Sequence, residues 1–212
     1  MMNTAASQDR TFLLAGITWE SYGSLLAIVG DQPVRITYEQ GRLELMSPSF
    51  NHERCKKRLG RLVEILTEEL NMPMIAGGSA TFRRQDLERG LEPDECFYIQ
   101  NVDAVQGKAE VDLAIDPPPD LVIEVDVTSS SIDRISIYAA MGVPEVWRYE
   151  NGALNFYQLD TTVREYRTCN HSSTFTFLAL VDVMRFLQDY SESNDTELCR
   201  AFRTWIRQYT TE

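Results

Sequence analysis

The sequence predicts a mixed α/β protein, α+β in character, with a central mixed sheet flanked by helices and an N-terminal helix plus hairpin. Three observations predict it. Two alternating apolar/polar runs break at turn signals, Glu39-Gln40-Gly41 and Asn151-Gly152, as hairpins do. The stretch from Asn51 to Leu70 repeats its apolar residues at helical spacing. Strand-like and helix-like patterns then alternate along one chain with no internal repeat and no low-complexity linker.

The elements follow in order. MMNTAASQDR and the next two residues read as a loose tail, 1–12, on a single domain spanning 1–212. Thr18 to Val29 is a short helix with Thr18 as its N-cap. VRITYEQGRLELMSP is a hairpin. In the long helix Cys55, Leu59, Leu62, Val63, Leu66 and Leu70 share a face, and Lys56, Lys57, Arg58 and Arg61 crowd its early turns. MIAGGSATFRR and DECFYI read as strands separated by a glycine-containing loop. PDLVIEVDV is a strand, and SSSIDRISIYAAMG is a serine-capped helix stopped by Gly142. EVWRYENGALNFYQL is a second hairpin, followed by a strand near Val163 to Tyr166. Residues 180–212 form a helical segment that packs on the core through Leu187, Leu198, Phe202 and Trp205.

Composition narrows the function. The 212 residues are 43% hydrophobic and 25% charged, enough for a real core. No apolar run is long enough to span a membrane, and no secretory signal is visible, so a cytoplasmic protein is expected. Cys55, Cys96, Cys169 and Cys199 form no CxxC pair and read as free thiols. Two histidines, His52 and His171, exclude a His-rich metal centre, so any metal is a hard ion held by oxygen. No motif for an organic cofactor is present; Gly77-Gly78 is a loop. The net charge of −12 argues against non-specific avidity for nucleic acid, but not against a local basic groove or a neutralising divalent ion.

One strand asks for that ion. In PPDLVIEVDVTSSS, Asp120, Val122, Glu124 and Asp126 share one face, and Leu121, Ile123, Val125 and Val127 share the other. Acids stacked on one face repel, and burying them unpaired is costly. The plain reading is an edge strand with one wet face. The sharper one is a cation site. Upstream, Asp94 follows Pro93 at the start of a strand, so two acids on neighbouring strands can converge on Mg²⁺ or Mn²⁺ and a phosphate.

Pro93-Asp94, then PPDLVIEVDVTSSS, then the helix with Tyr138 and GVPEVWRY, together with ITWESY and YEQGRLELMSPSFNHE, resemble the Uma-type restriction-endonuclease family. That family is abundant in cyanobacteria and is part of the PD-(D/E)XK nuclease superfamily. The resemblance runs from about Thr18 to about Leu159 and implies a restriction-endonuclease-like core and metal-dependent hydrolysis of DNA. It implies that Asp94 is the Pro-Asp acid, that Glu124 is the second acid, and that subunits pair as a homodimer. The superfamily's lysine two residues after the acid is Asp126 here. Its displaced equivalent, four residues before the tyrosine, is Arg134. Arginine can clamp a phosphate but cannot serve as a base.

Each residue carries an alternative. Asp94 and Glu124 are metal ligands or structural strand acids. Asp126 is a third ligand or a solvated acid. Asp120, after three prolines, fits a turn role better than catalysis. Arg134 meets a phosphate or pairs with Asp133, Glu124 or Asp126. His52 and Glu53 are accessory candidates, against a surface or capping histidine and an acid favoured by the helix dipole. The basic cluster on the long helix contacts DNA or is merely solvated. Trp147 and Tyr149 fit core packing or a dimer seam better than base stacking. The rival to the nuclease is a non-catalytic binding module with Arg134 locked onto the acids. A small-molecule hydrolase has no feature in its favour.

Overall fold

The computed structural model describes residues 8–127 and 130–209. In chain order it contains β1 (Arg10–Ala15), α1 (Trp19–Val29), β2 (Arg35–Glu39), β3 (Arg42–Ser47), α2 (Phe50–Glu69), β4 (Ile75–Ala76), β5 (Phe82–Arg84), β6 (Arg89–Leu91), β7 (Glu95–Tyr98), α3 (Val102–Val105), β8 (Leu121–Asp126), α4 (Arg134–Met141), β9 (Glu145–Glu150), β10 (Ala153–Asp160), β11 (Glu165–Cys169), α5 (Leu180–Asp189) and α6 (Asp195–Ile206). This is the mixed α/β architecture expected, with two sheets rather than one. A five-stranded sheet runs β1-β3-β2-β6-β5, and a six-stranded sheet runs β11-β10-β9-β8-β7-β4.

Local chemistry explains most boundaries. The Thr18 side chain accepts from Ser21 N and starts α1, as its cap position predicts. Both hairpins turn through two residues of positive φ, Gln40-Gly41 and Asn151-Gly152, the geometry that matches strand twist. Gly142 closes α4 in the left-handed region. The N-cap of α4 is Asp133, which accepts from Ile135 N; of the serines expected there, Ser129 lies outside the described residues.

Four expectations are corrected. The loose tail does not extend to residue 12: Arg10–Ala15 pairs antiparallel with β3, and Asp9 is buried. Residues 1–7 lie outside the described set. MIAGGSATFRR is not one strand but two short ones, β4 and β5, in different sheets, because Gly77 and Gly78 divide it. The last strand of the sheet begins at Glu165 rather than Val163. Finally, β8 is no edge strand with a wet face. All six of its residues are buried, between antiparallel β7 and parallel β9.

The two faces of β8 meet different layers. Leu121, Ile123 and Val125 join Leu59, Leu62, Trp147, Phe156, Phe186, Leu198 and Phe202 under α2, α5 and α6. Helices α5 and α6 contribute Val183, Phe186, Leu198, Phe202 and Ile206 to this core. Trp147 is fully buried and stacks on Phe156, so it serves packing. On the other face Val122 joins Ile137, Tyr138, Met141 and Val146 beneath α4. A third cluster, Tyr22, Ile36, Tyr38 and Leu43, seats α1 on the five-stranded sheet.

Candidate functional site

The α4 side of the six-stranded sheet carries the acids. β7 and β8 pair antiparallel with Glu95 opposite Ile123, so one further step places Asp94 opposite Glu124. Asp94 is fully buried. Its Oδ2 accepts from Val125 N at 2.8 Å, and its Oδ1 meets His52 Nε2 at 2.8 Å. His52 Nδ1 lies 3.0 Å from Asp9 Oδ2. A neutral imidazole has only one N–H, so both bonds donate only when His52 is an imidazolium. Burial works against that charge, but the bonds to Asp9 and Asp94 outweigh it and lift His52 to about 10. Burial in turn raises Asp94, while the His52 bond and charge, the Arg134 charge and the Val125 N–H together hold it below the usual carboxylate range. Asp9 also accepts from Ser49 N at 2.7 Å, tying β1 to the start of α2.

Glu124 is held differently. Its Oε2 accepts from Arg134 NH1 at 2.9 Å, and its Oε1 accepts from the Tyr138 hydroxyl. Arg134 and Tyr138 stand four residues apart on α4, so one helix face delivers both. Burial pushes Glu124 up to about 7; the Arg134 charge opposes this, and the charges of Asp94 and Asp126 add to it. Arg134 NH2 reaches Glu44 Oε1 at 3.5 Å, while its buried Nε has no partner. Glu44, on β3, also accepts from Ser131 N and Ser130 Oγ, fastening the segment before α4 to the other sheet.

The remaining candidates scatter. Asp126 accepts from Arg148 Nε at 2.7 Å instead of closing on Asp94. Asp120 serves the turn: it accepts from Ile99 N, Asn101 N and Asn101 Nδ2. Glu53 is half exposed beside Lys56 and Arg35. His52 is not the surface or capping residue weighed for it, being fully buried between two acids. Nor is the basic cluster simply solvated: Arg58 is buried on Asp195 and the Ser193 carbonyl, and Lys57 pairs with Glu95. Sequence reasoning missed Asp9, Arg35, Glu44 and the part played by Tyr138. Only Tyr138 had a signal, its spacing from Arg134.

A family model described as "Uma2: Putative restriction endonuclease" matches residues 19–208. The chain belongs to the Uma2 family. Among solved structures, the chain is similar to "a putative nuclease belonging to DUF820" from Anabaena variabilis, with 13% identity, 71% of this chain and 89% of that chain covered, and a TM-score of 0.48. A search of curated proteins returns no match.

Within this Uma2 chain, Asp94 and Glu124 are the acids the fold brings together. Each of their four oxygens accepts one bond and retains a further lone pair. Among the described residues, no three His, Cys, Asp or Glu side chains group as a cage for a metal ion. A two-carboxylate site suits an ion that keeps several waters and shares a phosphate, which is the habit of Mg²⁺. Among the described residues, no helix is long and apolar enough to cross a membrane.

Proposed function

We propose that this Uma2 chain is a Mg²⁺- or Mn²⁺-dependent endonuclease that hydrolyses DNA phosphodiester bonds. The observation that carries the reading is the side-by-side placement of buried Asp94 and Glu124 on neighbouring strands, with the Arg134 cation on Glu124. Asp94 and Glu124 would hold the ion. When bound, it polarises a phosphoryl oxygen and makes water more acidic. Asp94 suits the task because the His52 bond keeps it ionised and pinned. Glu124, poised near neutrality, would release its proton to solvent and gain a full negative charge if a cation approached. Arg134 shares Glu124 with that cation; each N–H it releases is free for a phosphate oxygen, which a guanidinium can grip in two places. It stays charged and so takes no proton. Asp126 acts from beside the pair through its charge on Glu124.

A second reading has its own support. Every oxygen of Asp94 and Glu124 already accepts a bond, and Arg134 is only 6% exposed. A closed network of this kind also suits a nuclease-fold protein that binds a partner without cutting.

Supercoiled plasmid with Mg²⁺ and with Mn²⁺ separates the two. The nuclease reading expects nicking by wild type and none by Asp94→Ala or Glu124→Ala. Identical behaviour of all three supports the binding module. The homodimer is tested by sedimentation at micromolar concentration, where a monomer alone would refute it.

A further inference from the structure

Arg35 opens β2, and its setting is unlike that of the other arginines near the acids. Its Nε lies 3.8 Å from Asp94 Oδ1, and its NH2 lies 3.8 Å from Glu53 Oε1. Both distances are too long for hydrogen bonds. Among the described residues the Arg35 side chain makes none, although its Nε is buried. By contrast, Arg134 bonds Glu124 at 2.9 Å, and Arg148 bonds Asp126 at 2.7 Å. A guanidinium carries five N–H donors, and leaving buried ones unmade is unfavourable.

The position is as telling as the missing partners. Asp94, Glu124 and His52 are at most 1% exposed, whereas the Arg35 side chain keeps 12% and Glu53 keeps 40%. Arg35 therefore runs from the buried acid toward the open margin of the site. The stem is anchored by the chain entering β2, where Ile36 N donates to Glu92 Oε2 and Ile36 is fully buried. The fork is thus presented from a fixed strand. Arg134 approaches the same acids from α4 and also has a buried Nε without a partner. One guanidinium stands by Asp94 and one by Glu124, each with donors to spare. The ligand class that fits two such groups beside two carboxylates that would hold a divalent ion is a phosphodiester.

We propose that Arg35 is a second phosphate-contacting residue of this site, gripping the nucleic-acid backbone on the Asp94 side as Arg134 does on the Glu124 side. The proposal rests on the nuclease reading above. It predicts that Arg35 adds a counterion-releasing contact to DNA.

The test is fluorescence anisotropy of a short labelled duplex titrated with protein in EDTA, where no cutting occurs, across a range of salt. The plasmid assay runs beside it. Arg35→Gln is expected to weaken binding at every salt and to lower the slope of log K against log salt by about 0.9. Arg35→Lys is expected to keep the slope and lose part of the affinity, because the charge stays and the fork goes. An Arg35→Gln slope equal to wild type overturns the proposal and leaves Arg35 as a counter-charge to Asp94. Duplex that fails to bind wild type also overturns it. Circular dichroism checks that Arg35→Gln folds; if it does not, Arg35→Lys decides, and unchanged affinity in that variant counts against the contact. The nuclease reading fails separately, by plasmid that stays uncut.

Discussion

The two faces of β8 are one residue apart and chemically opposed. Leu121, Ile123 and Val125 face a continuous apolar layer under α2, α5 and α6. Glu124 and Asp126 face a polar network of Arg134, Tyr138 and Arg148. The first face stabilises by removing apolar area from water. The second places charges where every partner must be present, since a buried ion pair offers little net gain but breaking it is costly. Tyr138 belongs to both regimes: its ring packs with Ile137 and Val146, and its hydroxyl serves Glu124.

Mutations can sharpen this contrast. On the apolar face, Trp147→Ala is expected to cost about 3–5 kcal/mol in urea unfolding. A loss under about 1 kcal/mol would show that the layer collapses around the gap. On the polar face, Arg134→Met strands Glu124, at a cost of roughly 3–5 kcal/mol while the carboxylate is charged. Because Glu124 already titrates near 7, it escapes by taking a proton in acid. The loss should therefore be clearly larger at pH 8 than at pH 5; equal losses would mean that Glu124 is not the group stranded.

The next effect is smaller and separable by pH. His52 is raised from 6.5 to about 10, so its bonds to Asp9 and Asp94 stabilise fully below 6.5. That contribution fades as pH rises through about 10. Wild type should lose stability between those limits, on the order of a few kcal/mol, and His52→Gln should lose much less. Parallel curves for the two proteins would contradict the buried imidazolium. Smallest of all is Lys57→Ala. It removes an exposed cation from Glu95 and is expected to change stability by less than about 1 kcal/mol, an effect that salt abolishes.

Most elements were legible because their signals are local. Thr18 caps α1, two-residue turns close both hairpins, and Gly142 ends α4. β1 was not legible. RTFLLA has no clean alternation, and Phe12, Leu13 and Leu14 stay exposed on an edge strand, so only pairing with β3 makes it a strand. The division of residues 74–84 between two sheets was hidden for the same reason, since strands of two or three residues are selected by their neighbours.

The sequence by itself determined the acid face of β8 and the Arg134–Tyr138 spacing, because strand and helix periods fix which side chains share a face; the likeness of Asp94 and Glu124 to a nuclease pair came from the family resemblance alone. What only the tertiary structure decided was who answers each charge. Asp9, Arg35 and Glu44 come from the five-stranded sheet and its approach: Asp9 lies 43 residues before the His52 it bonds, Arg35 lies 59 before Asp94, and Glu44 lies 90 before Arg134. Such pairings have no sequence period, since they arise where two sheets and a helix start meet. A buried carboxylate binds whichever donor the packing brings within about 3 Å.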